Sequence, residues 1–265
     1  MSGIVGSKAA RASGGTVTTA GPYTVHAFTT TGANTFTPAT TGFIDVLLVG
    51  GGGSSGGWPN PFAGQGGGGA GATLFKKMIP VVAGTTYPII VASGAVSGGN
   101  SRGSTGGITT AFGNSVYGGG GGGGFAGPSS GPYYGENSPL ASGGGSISVP
   151  GGTGANIYGI GFPGGNSNNP TGAGGGGAGG AGQNSPTGSP PQPGAGGLGI
   201  PIVYFTNNPA DINISKGGSG HPTPSTPTAG GGGYGSGGFV DGVTPSAPPT
   251  SPMNGKPGVA YIRYI

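Results

Sequence analysis

The chain has 265 residues, 73 of them Gly and 26 Pro, with 32% hydrophobic and only 5% charged residues and a net charge of +4. Gly plus Pro above roughly 25–30% marks low-complexity or disordered chains, yet disorder also goes with high net charge and few aromatics, and here there are 10 Tyr, 10 Phe and one Trp. The absence of Cys excludes disulfides and thiolate metal sites, and eight Lys and Arg, dispersed apart from the pair Lys76 and Lys77, are too few for a nucleic-acid footprint.

Residues 1–22 read as an N-terminal arm or attachment segment. Lys8 and Arg11 have no apolar stretch behind them, so no Sec signal peptide is expected. Strand signals follow in YTVHAFT (23–29), NTFT (34–37), FIDVLLV (43–49), TLFKKMIPVV (73–82), TYPIIVA (86–92) and ITTAFGNSVY (108–117), all rich in Thr, Val, Ile and aromatics and bounded by Gly or Pro. The last residues, PGVAYIRYI (257–265), read the same way, so 23–117 completed by 257–265 forms a β-rich portion. The run FIDVLLV is about a third of a membrane span, and no membrane insertion is expected.

Within that portion VVAGTTYPIIV reads as a hairpin turning at 83–86, and Pro88, which cannot donate to a ladder, puts its strand at a sheet edge. Asp45 alternates onto the face of Phe43, Leu47 and Val49. A buried carboxylate demands a partner, and Arg263, on the face of Tyr261 and Ile265, is one; the alternative leaves Asp45 at a solvent-facing edge. No window of 11 residues keeps an apolar i, i+3, i+4, i+7 stripe free of Gly or Pro, so essentially no α-helix is expected.

Glycine runs recur at 50–53, 66–69, 118–124, 143–145, 174–177 and 230–233, separated by segments rich in Pro, Ser, Asn, Thr and aromatics. An extended glycine chain can adopt the threefold left-handed form of polyproline, rising about 3.1 Å per residue without internal hydrogen bonds. Its N–H and C=O groups point sideways and need partners when buried. Neighbouring runs can supply them, because no Cβ holds the backbones apart. Collagen would need Gly at every third position, which these runs lack, and a flexible Gly/Ser tether fits poorly with aromatics beside the runs. The fold class that follows is all-β and irregular: a small β-sheet portion joined to a layered bundle of polyglycine II helices over 118–256, with variable loops.

Those loops hold Trp58, Phe62, Phe125, Tyr133, Tyr134, Tyr158 and Phe162, which either contact a receptor or pack on the flank of the bundle. Loops on a rigid scaffold are where binding concentrates. YTVHAFTTTGANTFTPATTGFIDVLLVGGGG, GGGGAGATLFKKMIPVVAGTTYPIIV, GGNSRGSTGGITTAFGNSVYGGGGGGG and GKPGVAYIRYI together resemble the glycine-rich domain of phage tail-fibre and receptor-binding adhesins, over about 23–124 and 230–265. The resemblance implies a polyglycine sandwich in a virion, at a tail fibre or other surface appendage. Its loops would contact a bacterial surface receptor, an outer-membrane protein or a glycan.

Catalysis finds little footing. Asp45, Glu136, Asp211 and Asp241 are far apart and fall in no motif that pairs carboxylates. His26 sits in a strand and His221 in a Pro-rich loop. GxGxxG patterns arise by chance in a chain so rich in Gly. Asp211 and Asn213 suit a turn better than a cation. No enzyme activity, cofactor or metal is expected. The reading is a non-enzymatic adhesin. The alternative is a structural subunit, a virion decoration protein or extracellular filament protomer whose loops bind other virion proteins or copies of itself. Ice binding is a third, weaker reading.

Overall fold

The computed structural model describes residues 12–57, 65–97, 102–124, 135, 140–146, 161–167, 171–186, 192–207, 214–220, 233–238 and 254–265. Among the described residues nine strands form two antiparallel sheets. The first has the order β1 (Thr16–Ala20), β2 (Tyr23–Phe28), β9 (Val259–Tyr264), β4 (Gly42–Val49), β5 (Thr73–Val81). The second runs β3 (Gly32–Phe36), β6 (Tyr87–Val91), β7 (Thr109–Ala111), β8 (Asn114–Val116). The fold is all-β and irregular, and the one helical element among the described residues is a single turn, α1 (Val203–Thr206).

Alternation assigns each strand's side chains to two faces. Ile44, Val46, Leu48 and Ile262 of the first sheet meet Phe36, Ile89, Val91 and Val116 of the second in a core between the sheets. The opposite face of the first sheet is buried as well: Val25, Leu47, Val49, Val259 and Tyr261 pack under Ile202, Phe205 and Ile214. Both faces of β4 and β9 are therefore covered, which is why LLV and VAYI run apolar without a break.

Three expectations change. Residues 16–20, read as part of an arm, form β1 and pair along their whole length with β2. VVAGTTYPIIV is not a hairpin, because β5 pairs with β4 while β6 pairs with β3 and β7 in the other sheet. The turn signal at 83–86 is real, but it carries the chain from one sheet to the other. Pro88 lies in an internal strand, opposite Thr35 of β3; its missing N–H is tolerated because β7 ends at Ala111, opposite Ile89, one residue short of it.

The glycine runs form a lattice that begins at residue 50, inside the portion read as β-rich, and not only over 118–256. From Gly66 to Ala72 the backbone N–H groups go in turn to three different neighbours. Residues 66, 69 and 72 donate to Gly123, Gly120 and Tyr117; 67 and 70 to Ala173 and Gly176; 68 and 71 to Gly238 and Gly235, all at 2.7–3.0 Å. The carbonyls of the same run accept from three more tracts, through Gly53, Ser142 and Gly218 among others. Period three in the donors is the threefold helix, and six neighbours around one run make the packing hexagonal. The same period recurs at 173–178, where 173 and 176 reach Ser146 and Gly143 while 175 and 178 reach Gly218 and Ser215. A Cβ at Gly52 would overlap the carbonyl of Ser236, and one at Gly118 that of Gly106. Glycine is thus the interior of this lattice.

Candidate functional site

Strand directions give the lattice two unlike ends. β4 continues into run 50–57, β6 into 92–97 and β8 into 117–124, all leaving the sheets; runs 65–72, 102–107 and 254–258 return into β5, β7 and β9. Hydrogen-bond register orients the rest. Run 140–146 is parallel to 117–124 (Gly120 to Ser142, Gly123 to Gly145), 161–167 is parallel to 140–146, and 171–178 is parallel to 65–72. Run 192–198 is parallel to 171–178, whereas 180–186 and 214–220 are antiparallel to it.

One end is therefore capped by the sandwich, and the other is the distal end. The described residues on both sides of 58–64, 98–101, 168–170, 187–191 and 239–253 lie at the distal end, and 125–134, 147–160 and 221–232 start from it. Trp58, Phe62, Phe125, Tyr133, Tyr134, Tyr158, His221 and Asp241 fall in these stretches, outside the described residues; Glu136, Asp211 and Asn213 also lie outside the described residues, in 136–139 and 208–213. Phe162 does not belong to a loop: it stands in run 161–167, half-buried, its N–H donated to Ser142 Oγ at 3.3 Å and its carbonyl accepting from Gly143 at 3.1 Å.

At the distal end polar side chains take over where tract-to-tract pairing stops. Ser97 N–H donates to Asn254 Oδ1 at 2.9 Å, and Asn166 N–H to Asn184 Oδ1 at 2.7 Å. Ser185 Oγ donates to Ser167 Oγ at 2.7 Å, Ser167 Oγ donates to the Thr171 carbonyl, and Ser167 N–H donates to Ser146 Oγ at 3.1 Å. This collar fixes the take-off points of the segments beyond it. Its signal in the sequence is Ser, Asn, Gln or Thr at the boundary between a Gly tract and a Pro-rich stretch, as in GFPGGNSNNPTG and AGQNSPTG. Gln65 Oε1 and Thr171 Oγ1, both buried in this layer, have no hydrogen-bond partner among the described residues; a bridging water is the usual occupant beside such groups.

The sandwich end holds the one described carboxylate side chain and the one described histidine. Asp45 and Arg263 stand directly opposite each other on β4 and β9. Nε and Nη2 of Arg263 donate to Asp45 Oδ2 at 3.2 and 3.1 Å, and Nη1 donates to the Tyr204 carbonyl at 3.2 Å. The guanidinium lies 4.4 Å from the ring centres of both Tyr23 and Phe205, which ties α1 to the sheet. The other oxygen of Asp45 accepts the Met78 N–H at 3.3 Å. There β5 carries an extra residue opposite β4, the register shifting between Ile44 and Val46, with Met78 at φ 57°. His26 is fully buried: Nδ1 bonds the Gly14 carbonyl at 2.6 Å and Nε2 the Tyr264 hydroxyl at 3.1 Å. Burial lowers its pKa below the usual 6.5, only partly offset by the Gly14 bond.

Among the described residues Asp45 is the sole carboxylate side chain and no group of three or more His, Asp or Glu could hold a metal. None of the described helices is long and apolar enough to cross a membrane. The family model for a glycine-rich domain matches residues 29–265. Comparison with curated proteins returns no match.

Proposed function

The chain belongs to the glycine-rich domain family, and from that premise we propose that it is a non-enzymatic recognition module: a phage tail-fibre or tail-tip adhesin that binds a bacterial surface receptor through the segments at its distal end. The observation that carries this reading is the polarity of the lattice. The sandwich closes one end, while the tracts run out at the other, where the described residues flanking the Pro- and Asn-rich segments lie. These segments bring Trp58, Phe62, Phe125, Tyr133, Tyr134 and Tyr158, and Tyr and Trp with Ser, Gly and Asn are the composition of adaptable binding surfaces. Among the described residues Asp45 is engaged by Arg263 and Met78, and His26 by Gly14 and Tyr264.

The test is binding of fluorescently labelled chain to a panel of Gram-negative cells, beside variants in which 58–64 or 239–253 is replaced by Gly-Ser of equal length. Saturable binding to some strains, lost in the replacements while lattice amides stay protected from exchange, supports the reading. Absence of binding to every strain, or binding that survives both replacements, overturns it.

A further inference from the structure

A sheet edge is a row of main-chain donors and acceptors open to another strand, and proteins blunt such edges with short strands, lysines, prolines and bulges. Three of the four edges here are blunted. β5 carries exposed Lys76 and Lys77, the bulge at Met78 and Pro80. β8 is three residues long. β3 turns Asn34 Nδ2 back onto the carbonyls of Thr30 and Gly32, and Ser13 pairs with Thr37 just past its end.

Among the described residues β1 has none of these devices. TVTTA is uncharged, free of Pro and bulge, and in continuous register with β2; Thr16 to Thr19 are all exposed. Beside it, α1 buries Phe205 yet leaves Tyr204 63% exposed.

We propose that β1 is the surface through which two copies of this chain associate, the two strands pairing antiparallel about a two-fold axis at Thr18 so that the five-stranded sheets join into one. A two-fold contact must be self-complementary, and β1 satisfies this. Thr18 meets its own symmetry mate, Val17 meets Thr19 and Thr16 meets Ala20, with no like charges opposed and a Thr–Thr pair at the centre. The same operation on β5 would bring lysines together. Thr18 ends the row Asp45, Arg263, Val25 across the sheet, on the face that α1 covers, so both copies of Tyr204 flank the joint. The axis stands perpendicular to the sheet, so the two lattices extend in opposite directions and leave both distal ends free. The inference is independent of the recognition reading, which concerns those ends.

Sedimentation of the full chain tests it, with Thr18→Lys, Thr18→Glu and their equimolar mixture. The unaltered chain is expected at twice the chain mass, each variant at the chain mass, and the mixture back at twice, since Lys then faces Glu across the axis. Recovery in the mixture also demonstrates that both variants fold. A chain at single mass across the concentration series, variants that remain double, or a mixture that stays single each overturns pairing at Thr18.

Discussion

Arg263 combines a carboxylate, a carbonyl and two aromatic faces on one guanidinium, and removing it strands Asp45 at 18% side-chain exposure. Breaking a well-buried pair costs about 3–5 kcal/mol. With this partial exposure, Arg263→Ala is expected to destabilise by about 2–3 kcal/mol, read from urea midpoints. Arg263→Lys is expected to recover less than half of that, because an ammonium cannot reproduce the fork or the stacking. His26 gives a pH dependence whose sign follows from its lowered pKa. Above 6.5 both folded and unfolded chains hold it neutral; below 6.5 the unfolded chain takes a proton that the folded chain resists. Stability is therefore full above that pH and is lost as pH falls, by at most about 1.4 kcal/mol per unit. Urea midpoints at pH 7.5 and 5.5 should differ accordingly, and His26→Gln should flatten the difference. Strand alternation alone brings Asp45 and Arg263 to one face. The bulge that places Met78 N–H on the same carboxylate was not legible, because an extra residue in β5 is defined only by its pairing with β4.

Each glycine tract behaves as an element with three columns of donors, and the columns differ in environment. In run 192–198 the N–H groups of Gly194 and Gly197 donate to Gly172 and Gly175, while Ala195 and Leu198 are exposed. Amide exchange is expected to be slow at 194 and 197 and fast at 195 and 198, a period of three visible by NMR; uniform rates along the run would contradict the threefold lattice. Substitution should be equally position-specific. Gly118→Ala drives a Cβ into the backbone of Gly106 and is expected to cost about 3 kcal/mol or more. At Gly180 the same change meets only ordinary contacts with Leu198 and should lie within about 0.5 kcal/mol of neutral, as thermal melts of the two variants would report. That glycine forms an interior was legible from runs flanked by aromatics. The sheet to which each strand belongs was not: turn signals such as AGTT are local, whereas the choice of sheet depends on which faces must be buried against each other.

At the scale of the molecule, burial in the lattice is burial of peptide groups. Exposing apolar surface raises the heat capacity of unfolding and exposing polar surface lowers it, for a usual net of roughly 12–15 cal/mol/K per residue. This chain is expected to fall well below that range in calorimetry, with a correspondingly flat stability curve. Its assembly should also be slow. β9 lies between β2 and β4, and Lys256 reaches Gly52 across some two hundred residues of sequence, and such non-local pairing delays folding to milliseconds or longer. Removal of 259–265 is expected to abolish lattice protection in exchange experiments as well as the sheet. Which tract ends lie at the distal end was invisible in the sequence, since direction depends on hydrogen-bond register and one glycine tract reads like another.

That likeness has an evolutionary side. A tract engages its neighbours through peptide groups that every residue carries, so it holds no private code for its place. Tract and attached segment are portable together: crossing over between stretches of glycine codons can splice a foreign cassette into the chain, or lengthen a native one, without rewriting the scaffold that receives it.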